Sequence, residues 1–151
     1  MTEPAPIWPD APRLAPDRAF PGHRFVPGRT ARPTGALEPG FLFGIDLYHA
    51  GYLWEAHEAW EGVWKDSRDP LVQGLIQMAA SLLKRHLGNE RGARKLADRA
   101  LLRLRLAARS GAHQRGLDLP LLIGQWEACA AAPDRRAAWS RAPRSTPRAH
   151  P

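Results

Sequence analysis

Residues 54–65 read W-E-A-H-E-A-W-E-G-V-W-K. On a helix advancing 100° per residue, Trp54, His57, Glu58, Glu61, Trp64 and Lys65 share an arc of about 120°, with Glu55, Ala59 and Gly62 elsewhere. One face therefore mixes two large aromatics with an imidazole and two carboxylates. Three tryptophans in eleven residues imply that part of this face is buried. A buried carboxylate has to be paired, hydrogen-bonded, metal-bound or protonated.

Three chemistries compete for this face. His57 and Glu61, at i and i+4 and with Glu58 beside them, have the spacing of two ligands sharing one metal ion. The zinc-protease pattern H-E-x-x-H has histidine where this chain has Glu61. The di-iron bundle pattern needs Glu-x-x-His on two helices, and no second copy is present. His49 and His86 are additional ligand candidates without supporting spacing. General acid–base work by His57 and Glu58 is the second reading, with no motif marking a substrate pocket. The third is a closed polar network bridging helices, with Gln77 and Lys84 as partners; those two lie seven residues apart on the polar edge of the following helix.

The elements that must position these groups are helices. Residues 39–50 place Phe41, Ile45 and Tyr48 on one face, and residues 52–65 form the second helix after Gly51. Asp69-Pro70 is a helix start, an N-cap followed by proline at the first helical position. The helix it opens, 70–87, carries an apolar arc of roughly 200°, wide enough for a central helix. Gly88 stops it and Asn89 caps the next, at about 90–110, where Ala93, Ala97, Ala100, Leu104 and Ala107 line one side. A fifth helix, about 119–131, follows Asp118 and buries Leu122, Trp126 and Cys129. A short turn after Pro133 reaches Trp139, and 141–151 read as a disordered basic tail. No strand signal appears. The expected fold is all-α, a small bundle of about five helices.

Proline marks the edges. Nine of the 15 prolines fall in residues 1–39 and four in 133–151. Proline lacks an N–H and fixes φ, so neither stretch runs on as a long helix or a central strand. The chain divides into a Pro/Arg-rich arm over 1–37, mostly irregular, a helical domain over 38–132, and the tail. Trp8, Phe20 and Phe25 give the arm something to dock with, since disordered segments are poor in aromatics. At 151 residues the chain excludes a two-domain enzyme, a TIM barrel and a full dinucleotide-binding fold.

The net charge is +7, unevenly spread. Residues 40–69 hold six acids and two bases; residues 84–115 hold ten bases and two acids. Arg91, Lys95, Arg99 and Arg103 recur along one face of the fourth helix. No aromatic interleaves with that ridge, as a base-stacking surface requires. The single cysteine, Cys129, excludes an internal disulfide and any zinc-type cysteine spacing. There is no Walker loop, no signal-peptide pattern and no apolar run of membrane-spanning length. A cytoplasmic location is expected.

The run F-x-x-G-x-x-L-Y-H-A-G-Y-L-W-E-A-H-E-A-W-E-x-V-W, then G-L-I-Q-M-A-A, then G-N-E-R-G-A-R-K-L, resembles the domain-of-unknown-function 309 family over roughly residues 40–108. The resemblance implies a small all-helical protein with His57, Glu58, Trp60, Glu61, Gln77, Gly88, Asn89 and Gly92 as motif positions. It implies no established activity and does not reach the arm. Three function classes follow. One is a non-enzymatic binding or interaction module, with its acidic and basic faces meeting in a homodimer or taking an acidic partner. Another is a metal-binding protein or metal-dependent hydrolase using His57, Glu58 and Glu61. The last is nucleic-acid binding through the basic ridge. No cofactor other than a metal ion is expected, and no membrane partner.

Overall fold

The computed structural model describes residues 3–35, 37–112 and 114–147. Six helices follow in order: α1 (Phe41–His49), α2 (Leu53–Ser67), α3 (Pro70–His86), α4 (Glu90–Ala108), α5 (Leu119–Ala130) and α6 (Arg135–Arg141). Among the described residues there is no strand, so the fold is all-α. No helix among them is long and apolar enough to cross a membrane. The sixth helix lies where only a turn was expected. Asp134 caps it, accepting from the Ala137 N–H at 2.8 Å, and that cap carries the turn on into a seven-residue helix.

The central position of α3 follows from its apolar arc. It packs against both α2 and α4, burying Leu71, Val72, Leu75, Met78, Ala79, Leu82 and Leu83. Ile76 and Leu87, the margins of the expected arc, are only partly buried. Its start is set by Asp69, whose carboxylate accepts from the Leu71 N–H at 2.9 Å, with proline at the first helical position. The α3–α4 joint turns at Gly88, whose φ of +83° L side chains rarely adopt. Asn89 then caps α4 by accepting from the Gly92 N–H at 2.9 Å. On α4 the buried residues are Ala93, Ala97, Ala100, Leu104 and Ala107, as the spacing predicts. The four alanines let α4 lie close to α3 and leave room for Trp126 of α5, whose indole N–H donates to Ala97 O at 3.2 Å.

The arm has no helix or strand among its described residues, yet it is part of the core. Ile7, Phe25 and Val26 are buried. The arm is held by main-chain groups and by two buried carboxylates. Asp46 of α1, 2 % exposed, accepts from the Leu14 and Ala15 N–H groups at 2.8 Å each and from Arg13 Nε at 3.1 Å. Glu55 of α2, 1 % exposed, accepts from the Phe25 N–H at 2.8 Å. The Ile7 and Trp8 N–H groups donate to His49 O, and Tyr52 OH donates to Pro21 O. At Gly51 the arm passes so close that a Cβ would lie 2.6 Å from Ala5 O, and its φ of +83° is likewise glycine-like. Arginine stacking adds to this, with Arg13 over Phe20 and Arg18 over Phe43, each 4.0 Å from the ring centroid.

The described residues after α6 dock as well, residues 148–151 of the expected tail lying outside the described residues. Residues 142–147 make no helix or strand, but Ala142 and Pro143 are buried, and Tyr48 OH donates to Pro143 O at 2.8 Å. The expected disordered tail is thus pinned as far as Ser145, which reaches Gln125.

Removing Asp46 strands two main-chain donors and the Arg13 guanidinium. Asp46→Ala is expected to lose about 2–4 kcal/mol of stability. Trypsin should also cut at Arg13 and Arg18 faster in the variant, because the arm opens locally before the bundle does. Urea unfolding with timed proteolysis checks both, and an unchanged cleavage rate would show that the arm is held without Asp46.

Candidate functional site

Trp60 fixes how α2 is rotated. It is buried, its indole N–H donates to Phe41 O at 3.1 Å, and its ring packs where any side chain at Gly44 would sit. With Trp60 turned into the core, His57, Glu58 and Glu61 are turned out. Their side chains are 30 %, 40 % and 38 % exposed. His57 Nδ1 lies 3.3 Å from Glu58 Oε1, without the alignment a hydrogen bond needs, and His57 Nε2 lies 3.5 Å from Glu61 Oε2. One donor atom from each of the three comes within 4.8 Å of the others. This is the one group of three or more metal-ligating side chains among the described residues.

Beside His57 is a cavity of about 180 Å³, lined by Pro27 of the arm, Trp54, Ala80, Leu83, Lys84 and Leu87. Trp54 is held at its edge by Phe25, ring edge to face at 4.8 Å. Trp64 sits further along the same face under the Arg68 guanidinium, 4.2 Å from its ring centroid. The structure therefore brings Trp54, His57 and Lys84 onto one cavity, with Glu58 and Glu61 flanking the histidine. It does not close a network through Gln77. The Gln77 side-chain oxygen is buried without a hydrogen-bond partner, and Lys84 is exposed.

The other histidines stand apart from this group. His49 is 2 % exposed beneath the arm, edge-on to Trp8, and neither ring nitrogen has a hydrogen-bond partner. Burial pushes its pKa from 6.5 down to about 4, opposed by the neighbouring Asp46 and assisted by Arg144. His86 is buried on α3 near the Trp139 ring. Cys129 is buried, donates to Ala138 O at 3.2 Å, and is pushed up to about 12 by burial, against Arg85 and Arg141. It is a core thiol rather than a nucleophile.

Two carboxylates that matter most to the architecture are not on the expected face. Glu55 falls off the Trp54–Glu61 arc because it belongs to the arm side of α2. Asp46 is the lone charge in the apolar helix F-L-F-G-I-D-L-Y-H, and that isolation is a signal for a buried, partnered acid. With Asp46 and Glu55 turned inward and Asp69 paired to Arg115 at 2.7 Å, half of the six acids in 40–69 are withdrawn from the acidic face expected to meet a second copy. On the basic ridge, Arg91, Lys95 and Arg99 are exposed, while Arg103 is partly buried with its Nε unpaired.

Fold and site together define a small all-α domain built on a buried-tryptophan helix that presents His-Glu-x-x-Glu outward. Residues 41–96 match the family model described as Domain of unknown function (DUF309). The match runs from α1 into α4 and leaves out the arm, α5 and α6. Neither a curated protein nor a solved structure matches the chain.

The buried neutral imidazole sets an acid limit. Between pH 6.5 and about 4 the unfolded chain binds a proton at His49 that the folded chain refuses, so stability falls as pH falls through that window. The shift corresponds to about 3 kcal/mol. Glu55 acts the other way. Burial raises its pKa despite the Phe25 N–H, so its contribution is present at low pH and is lost as pH rises through the folded value. His49→Leu should keep its stability at neutral pH, since no hydrogen bond is lost, and should flatten the decline toward pH 4. Urea midpoints across that range check it; an equally steep decline in the variant would place the acid limit elsewhere.

Proposed function

We propose that the domain is a metal-binding module in which α2 presents His57 and Glu61 to a divalent transition-metal ion. The observation that carries this reading is the convergence of His57, Glu58 and Glu61 on a partly exposed face, with donor atoms within 4.8 Å of one another. Bonds of ~2.0–2.2 Å to a tetrahedral zinc-like ion place two ligand atoms about 3.3–3.6 Å apart. The 3.5 Å between His57 Nε2 and Glu61 Oε2 falls within that range. Glu58 takes the opposite edge of the ring. A small rotation that aligns the Nδ1 proton with Glu58 Oε1, 3.3 Å away, would leave the Nε2 lone pair for the ion, the usual work of a carboxylate behind a metal-bound histidine.

The donor set, one imidazole with carboxylate, suits zinc, cobalt or nickel better than calcium or magnesium. Two protein ligands leave the remaining positions to water or to a small ligand. The cavity beside His57, with the Lys84 ammonium and the Trp54 ring, offers such a ligand a seat. The reading is of a binding module whose metal is exchangeable, and no reaction step is needed to explain the site. Two features support it over a closed structural network: the exposure of all three side chains, and the missing Gln77 partner.

Titration of metal-stripped chain with Zn²⁺ or Co²⁺ tests the proposal. One ion per chain is expected, with His57→Ala and Glu61→Gln each weakening binding tenfold or more. Glu58→Gln, an orienting partner rather than a ligand, should cost less than either. Because these side chains are partly exposed, the variants should melt within about 1 kcal/mol of the parent. Saturable binding that ignores His57→Ala, or no binding at all, sinks the reading. Unfolding of both variants would instead assign the cluster a structural role.

A further inference from the structure

We propose that the cleft between α3, α4 and α5 is a binding site for a small phosphate ester. The cleft encloses about 290 Å³. Its floor is apolar, with Leu82, Ala97 and the buried Trp126. Three arginines, Arg85, Arg91 and Arg94, line the cleft against one acid, Glu90.

Arg85 is the group that gives the cleft its chemistry. Its side chain is 10 % exposed, and Nη2 is tied to Ala132 O at 2.6 Å, so the cation is held in place. Its Nε is buried without a hydrogen bond. The one carboxylate in reach is Glu90, with Oε2 3.3 Å from that Nε but without the alignment to accept from it. A buried cation with an unspent donor is costly unless an anion completes it. Glu90 is a loose counter-ion, since its side chain is 63 % exposed and free to turn into water.

Charge and shape select the ligand. Three cations against one carboxylate suit a dianion better than a monoanion. Guanidinium forks match the paired oxygens of phosphate. The floor takes an apolar or flat body attached to the phosphate. Ser81 is not part of the recognition, because its hydroxyl already donates to Ala93 O at 2.7 Å. Cys129, at the back of the cleft, is a neutral thiol and does not repel the anion. Lys95 and Arg99 are not among the cleft's lining, so it is the concave pocket and not the open basic ridge that holds the ligand. The site shares no residue with the His57 cavity and stands or falls independently of it.

Calorimetric titration of the full chain at low salt with inorganic phosphate, and separately with phenyl phosphate, tests this. Saturable one-to-one binding is expected, tighter for phenyl phosphate because the ring reaches the apolar floor. Arg91→Ala with Arg94→Ala should weaken both at least tenfold without moving the thermal melt. Arg85→Lys, which keeps the charge and loses the Nε donor, should weaken binding as well. Glu90→Gln should tighten it severalfold, whereas Glu38→Gln, the same charge change outside the cleft, should not. Absence of saturation, equal effects of Glu90→Gln and Glu38→Gln, or binding confined to an oligonucleotide with a steep salt dependence would each overturn the proposal.

Discussion

Two carboxylates face inward, and the rest of the molecule is arranged around satisfying them. Asp46 and Glu55 sit at two and one percent exposure on neighbouring helices, where an unpartnered charge is very costly. Their partners are mainly main-chain N–H groups of a segment that has no secondary structure of its own. The bundle therefore needs the arm as much as the arm needs the bundle. Proline suits this use. The arm's geometry comes from fixed φ angles and from donors spent on helix carboxylates and carbonyls, not from a ladder or a helix.

This constraint reaches the surface of α2. The arm brings Phe25 onto Trp54 and Pro27 to the wall of the His57 cavity, while Trp60 anchors the same helix from behind. Held on both sides, α2 has one rotation left, and that rotation places His57, Glu58 and Glu61 outward. The polar face is thus a by-product of where the tryptophans have to go. On the far side of α3, alanines on α4 make the space that Trp126 and the arginine-lined cleft share.

The helices were legible in the sequence because their signals are local. Asp69-Pro70, Gly88-Asn89 and the alanine stripe from Ala93 to Ala107 each act within a few residues, and each does in the fold what its spacing indicates. The grouping of His57, Glu58 and Glu61 was legible for the same reason, since all three lie on one helix. Glu55 was not, because a helical wheel centred on Trp54 and Trp64 sets it off that face and names no partner for it; its partner is the Phe25 N–H, thirty positions away. A main-chain donor has no residue type to betray it. The pinned end was illegible on the same grounds, for Tyr48 bonds the carbonyl of Pro143 rather than a side chain. Arg85 escaped notice because its meaning comes from burial among α4 and α5, which composition counts as one more exposed charge.

The indole of Trp139 donates to the carbonyl of Ala5, across 134 positions. That single bond spans nearly the whole chain, and it orders assembly in time. During synthesis the arm is made before the helices that hold its acceptors. Its prolines hold it extended and deny it the donors it would need to pair with another strand, so it can wait without collapsing onto itself. The α1–α4 helices fold from contacts close in sequence, which is fast. Only the arrival of α6 offers the arm its Trp139 partner, so the arm, made before the helices, is among the last segments to be locked.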